Sequence, residues 1–306
     1  MIGFGLNMNK INIGLSLIVP VYNEIEGIKT SLEFFLSIFS KSKIPFELIF
    51  INDGSNDGTR DIIEKFIKKN KNKINLKLIN HNINRGYGAA IKTGIVNSKY
   101  SIIGITDADN TYPNDKMLKF YNEMILKKYD MMVGARVGDN VKIPIVRKPA
   151  KYIINQMANY LSGVKIPDLN SGMRLMKKEV LFKYINFLPD GFSLTTTITL
   201  AMLTNGNYVH YKKIDYYHRT GNSKIRPIRD TINFIQLIIR TILLFNPLKI
   251  FIPLSLILFL GGIFLLIYRL IFDDIFGVTA TVLIVGSVQV LAIGMLADLI
   301  DRRLSK

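Results

Sequence analysis

Over residues 1–135, short apolar runs rich in β-branched and aromatic side chains alternate with amphipathic stretches. That alternation predicts a mostly parallel sheet flanked by helices. The strand candidates are Leu15–Val21, Phe46–Asn52, Asn75–Asn80, Ser101–Thr106 and Met131–Gly134. Ile62, Ile63, Phe66 and Ile67 recur at helical spacing after the start signal Ser55, Asn56 and Asp57, and 86–96 and 113–128 read as two more helices. The fold class expected is therefore α/β, with a ligand crevice beyond the carboxyl ends of the strands.

The pattern changes near the C-terminus. Residues 250–268 and 275–297 are apolar all round and hold no ionisable side chain except Tyr268. Each approaches the ~20 residues a helix needs to cross the hydrocarbon core. Only 269–274 separates them, which predicts a tight transmembrane hairpin with both flanks on one side. Before it, Ile232, Ile235, Ile238, Ile239, Ile242 and Leu243 recur at helical spacing with Gln236 and Arg240 to one side. This segment reads either as a helix lying on the membrane surface or as a core helix. The expected organisation is an α/β domain over 1–225, a juxtamembrane amphipathic helix over 226–248, and a hairpin with its tail over 249–306. No secretory signal is expected at the N-terminus.

Charge then orients the hairpin. The net charge is +17, of which +14 falls on residues 1–225, and the tail Asp301–Lys306 is basic while the turn carries Asp273 and Asp274. The positive-inside rule places the basic side in the cytoplasm, making this a multi-pass protein of the cell membrane. Anionic membrane lipids, rather than nucleic acid, are the expected partners of the excess lysine and arginine, since no nucleic-acid-binding signature accompanies them. The chain has no cysteine, which excludes disulfides, thiolate metal sites and a cysteine nucleophile.

Polar clusters follow successive strands. Pro20-Val21-Tyr22-Asn23-Glu24 closes the first, Asn52-Asp53-Gly54-Ser55-Asn56-Asp57-Gly58-Thr59 the second, and Asp107-Ala108-Asp109-Asn110 the fourth. Each alone is also an ordinary turn or helix cap. Alternate residues at a strand end share a side, so Asp107 and Asp109 can jointly face a divalent cation, Mg²⁺ or Mn²⁺, completed by water and phosphate oxygens. Asn84-Arg85-Gly86-Tyr87-Gly88 lacks the third glycine of a dinucleotide loop.

Together with Asp168-Leu169-Asn170-Ser171-Gly172-Met173-Arg174, these motifs resemble family-2 glycosyltransferases of the GT-A, Rossmann-like fold. Within that family the chain looks most like the dolichyl-phosphate mannose and glucose synthase group. The resemblance implies inverting transfer of a sugar from a nucleotide sugar to a membrane polyprenyl (dolichyl) phosphate. It implies that Pro20, Tyr22, Glu24 and Asp53 hold the nucleoside, that Asp107 contacts the nucleotide and that Asp109 binds the metal. Arg85, Arg136 and an Asp168/Arg174 pair would line the donor and acceptor phosphates, with Asp109, Asp168 and Arg174 as the catalytic set. Two departures stand out. Asn52 replaces the family's usual first aspartate, and Gly191–Ile198 lacks the glutamate that many relatives carry after an aromatic residue.

A phosphate monoester has a second pKa of about 6, so it is already an oxyanion nucleophile and needs no general base. It does need cations. Arg219, Ser223, Lys224, Arg226 and Arg229 precede the membrane and would bind the acceptor phosphate, or else touch any anionic lipid. Two other readings stay open: transfer to a lipid or glycan hydroxyl with Asp168 as base, and a non-catalytic scaffold that binds nucleotide sugars. A homo-oligomer also stays open.

Overall fold

The computed structural model describes residues 12–137, 148–217, 227–272 and 277–304. Its N-terminal part lays down β1 (Leu15–Val21), α1 (Ile25–Phe39), β2 (Phe46–Asp53), α2 (Thr59–Asn70), β3 (Leu76–His81), α3 (Tyr87–Val96), β4 (Ile102–Ile105), α4 (Met117–Lys127) and β5 (Met131–Ala135). The five strands stand where the apolar runs predict them, each shifted by no more than a residue or two. Then come α5 (Lys148–Ser162), β6 (Arg174–Lys177), α6 (Lys178–Tyr184), α7 (Leu194–Thr204) and β7 (Val209–Lys213), followed by three long helices.

The sheet has seven strands in the order β3-β2-β1-β4-β6-β5-β7. Strands β1 to β4 pair in parallel, whereas β6 is inserted antiparallel between β4 and β5. The alternating pattern does not reveal β6, which has four residues with Arg174 and Lys177 at its ends.

Both faces of the sheet are covered, so its central strands are hydrophobic almost throughout. Leu15, Leu17 and Val19 of β1 face a core shared with Phe35 and Phe39 of α1 and Phe120 and Met124 of α4. Ile18 faces the opposite core, with Ile91 of α3, Leu181 of α6 and Ile198 of α7. At the foot of the sheet, the fully buried Glu47 accepts hydrogen bonds from Ser16 Oγ at 2.7 Å and Lys99 N at 2.5 Å, and pairs with Lys77 Nζ at 2.6 Å. It ties the starts of β1, β2 and β4 together.

Helix α8 (Pro227–Phe245) is the segment with two readings, and one of its faces packs into the core. Ile238 and Ile242 are buried against Leu200 of α7 and Ala158 of α5, while Ile239 and Leu243 are exposed on the other side. Helices α9 (Leu248–Phe272) and α10 (Gly277–Leu304) follow. Their spans Leu248–Phe272 and Gly277–Ile300 have mean hydropathies of 2.8 and 2.2 and are only 11% and 17% buried. They form an antiparallel hairpin: a Cβ on Gly262 of α9 would lie 3.0 Å from Ala280 O, and Gly294 of α10 packs on Phe251. Such close approach at glycine replaces the hydrophobic drive that lipid removes. Their length, apolar composition and exposure fit a transmembrane hairpin.

The Glu47 cluster predicts an acid-labile contribution to stability. Burial opposes its ionisation, but the bonds from Lys77, Ser16 and Lys99 outweigh burial and hold its pKa below the ordinary value. That contribution is complete above the unfolded pKa of about 4.3 and is lost as pH falls through the lower folded value. Glu47→Gln should cost about 1–3 kcal/mol at neutral pH. Thermal melting in detergent, followed by circular dichroism, should show a shallower acid-side decline in the variant than in the wild type; equal slopes would contradict the assignment.

Candidate active site

The carboxyl ends of β1 to β4 open on one edge of the sheet, and the loops that follow are sewn to each other. After β1, Asn23 adopts the left-handed conformation (φ 52°). Its N–H donates to Ser55 Oγ at 3.0 Å, and its Oδ1 accepts from Asn56 N at 3.0 Å. Asp57 caps two helices at once, accepting from Ile25 N of α1 at 3.1 Å and Thr59 N of α2 at 2.9 Å. Although burial works the other way, these bonds lower the Asp57 pKa. Much of the 52–59 run is thus turn and cap chemistry that fixes the crevice floor. Pro20 lies in β1 opposite Ile51, while Tyr22 is 40% exposed at the rim and Glu24 is half-buried beside it, its N–H donating to Thr59 Oγ1 at 3.1 Å. Asn52, at the position of the missing aspartate, donates from Nδ2 to Asn80 Oδ1 at 2.9 Å.

Asp53 is buried at the end of β2 and clasps the next loop. Its Oδ1 accepts from Arg85 N at 3.0 Å, and its Oδ2 accepts from Gly86 N at 2.8 Å. The loop lies so close that a Cβ on Gly54 (φ 73°) would meet Asn84 N at 2.6 Å. From the other side, Ala89 N donates to Asp190 O at 3.0 Å, strapping the 188–193 loop across the start of α3. Arg85 is left exposed at the rim, and Phe192, 81% exposed, stacks on Tyr87 with ring centroids 5.5 Å apart.

Asp107 and Asp109 are brought to the centre of this edge, by a different route from the one their spacing suggests. Because β4 ends at Ile105, the alternation of a strand does not orient them. Thr111 does so for Asp109, donating to Oδ1 from its N at 3.2 Å and its hydroxyl at 2.6 Å. Tyr87 OH is 3.4 Å from Asp107 Oδ1, and a Cβ on Gly172 would stand 3.0 Å from both Asp107 oxygens. Burial, then the Asp107 charge, raise the Tyr87 pKa well above its ordinary value, so Tyr87 remains a hydrogen-bond donor. The pair suits a hard divalent ion by donor type. No group of three or more His, Cys, Asp or Glu side chains able to hold a metal occurs among the described residues, so an ion here would take its other ligands from water and substrate.

Residues 168–174 buttress this centre. Asp168, 4% exposed, receives a bidentate pair from Arg136: Nε to Oδ2 at 2.8 Å and Nη2 to Oδ1 at 3.0 Å, with Arg136 N adding 2.9 Å to Oδ2. Arg136 Nη2 also donates to Asn170 Oδ1 at 2.8 Å, and its guanidinium lies 5.3 Å from the Tyr216 ring. Burial disfavours the Arg136 charge, but the Asp168 bonds prevail and raise its pKa. Ser171 Oγ donates to Gly134 O at 2.6 Å, and Gly172 N donates to Tyr112 OH at 2.8 Å.

Arg174 corrects an expectation. It is fully buried, and its guanidinium donates to Ser171 O, to Thr195 O at 2.9 Å and to Thr199 Oγ1 at 3.0 Å. It therefore fastens β6 to α7 beneath the crevice and does not line a phosphate, and the bidentate partner of Asp168 is Arg136. Within the stretch Gly191–Ile198, Thr195, Thr196 and Thr197 are buried and neutral. Of the expected acceptor-phosphate residues, Arg219, Ser223, Lys224 and Arg226 lie outside the described residues, and Arg229 falls in the first turn of α8 with its side chain outside the description.

Known proteins bear on this geometry. Residues 246–302 match the GtrB C-terminal hairpin, which coincides with α9 and α10. A dolichyl-phosphate hexose transferase of Haloferax volcanii is 26% identical over 214 residues, covering 70% of this chain and 87% of that one. An undecaprenyl-phosphate 4-deoxy-4-formamido-L-arabinose transferase of Photorhabdus laumondii is 26% identical over 306 residues, covering 94% and 89%. Among solved structures, glucosyl-3-phosphoglycerate synthase from Mycobacterium tuberculosis, in complex with Mn²⁺, UDP and glucosyl-3-phosphoglycerate, superposes with a TM-score of 0.56 at 16% identity over 76% of this chain and 79% of that one. S. aureus TarS superposes with 0.53 at 19% identity over 76% and 66%. The likeness in fold makes the sheet a GT-A, Rossmann-like one. A match to Glycosyl transferase family 2 runs over residues 16–185, from β1 into the short helical turn after α6, and because it takes in more than half of the chain, the chain belongs to that family.

Proposed function

We propose that this protein transfers a sugar from a nucleotide sugar (GDP-mannose, UDP-glucose or UDP-N-acetylglucosamine) to a polyprenyl (dolichyl) phosphate, with inversion at the anomeric carbon, at the cytoplasmic face of the membrane. The observation that carries this reading is the bidentate grip of Arg136 on Asp168. A carboxylate held at both oxygens is ill-suited to take a proton, because accepting one would break a charge-assisted bond. With neutral threonines at 195–197, the 168 and 195–197 positions supply no free base for a hydroxyl acceptor. An acceptor phosphate brings its own oxyanion. The names of the Haloferax and Photorhabdus relatives, both transferases of polyprenyl-phosphate type, support the same acceptor.

The chain's own residues then have defined tasks. The Asp53 clasp holds Arg85 at the rim, where its guanidinium meets the donor diphosphate. Arg136 spends Nε and Nη2 on Asp168 and Asn170, leaving Nη1 to contact a phosphate oxygen. Asp107 and Asp109 would hold Mg²⁺ or Mn²⁺, as the Mn²⁺ and UDP in a GT-A neighbour support. When bound, such an ion neutralises the charge developing on the departing nucleoside diphosphate. The acceptor oxygen attacks the anomeric carbon in line with that leaving group. The division into a 1–225 catalytic unit, a 226–248 helix and a 249–306 hairpin brings the lipid acceptor to this site, with the basic residues 219–229 at the headgroups.

Two outcomes follow. In detergent with Mn²⁺, polyprenyl phosphate and labelled nucleotide sugars, one donor should transfer label to the organic phase, and both chelation and Asp109→Asn should reduce transfer at least about 10³-fold; substantial turnover in that variant would remove the metal assignment. Asp168→Asn should lower the rate by about 10- to 100-fold through loosened Arg136. Its residual rate should still fall below about pH 6 as the acceptor phosphate protonates; loss of that limb would favour Asp168 as a base toward a hydroxyl.

A further inference from the structure

The Asp53 clasp has a third donor, one that sequence motifs pass over. His81 ends β3, and its ring is buried between β2 and α3. Its Nδ1 is 2.6 Å from Asp53 Oδ1, and its Nε2 is 2.9 Å from Thr93 Oγ1 in the middle of α3. A carboxylate only accepts, and a neutral imidazole has one donor and one acceptor nitrogen. The contact with Asp53 therefore needs the proton on Nδ1, which donates to Oδ1, while Nε2 pairs with the Thr93 hydroxyl.

The arrangement matters because the final torsion of an aspartate is soft. The Arg85 and Gly86 amides approach the carboxylate from the loop, and they cannot hold both the loop and the carboxylate plane by themselves. His81 donates from the sheet and fixes that plane. Gly54 then bears on Asn84 from below, and the Asp190 strap bears on Ala89 from the far side.

We propose that His81 is a positioning residue for donor binding: through Nδ1 it aims Asp53 so that both carboxylate oxygens hold the Arg85–Gly86 loop in the form that receives a nucleoside diphosphate. This rests on the nucleotide-sugar reading given above. A preorganised loop binds its ligand more tightly because the ordering cost is met before the ligand arrives. His81 touches no reacting atom, so its effect belongs in donor affinity and not in the chemical step.

Two conservative variants separate positioning from packing. The Asn side chain places an amide donor where Nδ1 stands, whereas Gln places its amide where Nε2 stands. Full-length protein in detergent with Mn²⁺ would be titrated with GDP and UDP by calorimetry, and initial rates measured with varied donor and acceptor. His81→Ala and His81→Gln should weaken nucleotide binding and raise donor KM about tenfold, with kcat and acceptor KM changed less than about threefold. His81→Asn should stay within about threefold of the wild type in donor affinity. Should His81→Ala fail to fold, the Asn and Gln pair decides alone, since each retains one of the two ring contacts. Equal behaviour of Asn and Gln, or a loss confined to kcat or acceptor KM, would overturn the assignment while leaving the donor reading intact. A wild type that binds neither nucleotide would overturn both.

Discussion

The bidentate ion pair between Arg136 and Asp168 is the contact on which the crevice depends. It joins the end of β5 to the 168–172 loop, and that loop sets Gly172 against Asp107 and donates its amide to Tyr112. The pair is largely withdrawn from water, with side chains 22% and 4% exposed, so its strength comes from geometry as much as from charge. Breaking it would leave Asp168 buried without that partner and would release the loop beside Asp107 and Asp109. In the proposed reading the same contact bears on the chemistry, because it holds a carboxylate that could serve as a base against a guanidinium. A site so built favours an acceptor that arrives already ionised.

Around that contact, the other loops follow one design. Each strand of the parallel half delivers a short polar segment, and each segment is fixed by a neighbouring loop: Asn23 by Ser55 and Asn56, α1 by Asp57, and the Arg85–Gly86 loop by Asp53. Groups fixed before substrate arrives act without reorganisation at the moment of reaction. Below the crevice, α8 packs on α5 and α7 and continues into the hairpin, so the two long apolar helices are tied to the same core that carries the 168–174 loop.

The sequence was most legible where burial leaves one pattern possible. β1, β2 and β4 are almost wholly buried and read as near-continuous apolar runs, and the spans within α9 and α10 are apolar all round. β6 was not legible, because a strand of four residues ending in charged groups has no period to detect. Asp107 and Asp109 were legible as a pair, although it is Thr111 and Tyr87, and not strand alternation, that orient them. Arg174 was not legible from its motif. The family resemblance implied a phosphate ligand there, whereas packing satisfies its charge with Ser171, Thr195 and Thr199 inside the core. Arg136, the partner of Asp168, lies 32 residues away just past the end of β5, and a lone His81 carries no spacing signal. Such contacts exist only once the sheet has formed.

The central claim is that the acceptor supplies its own oxyanion. Its most direct test offers the purified protein one polyprenyl chain in two forms, the phosphate and the free alcohol, with the donor it accepts and Mn²⁺. The account predicts labelled lipid from the phosphate and none above background from the alcohol. Comparable transfer to the alcohol would contradict it, and would require a base that the Arg136–Asp168 pair does not provide.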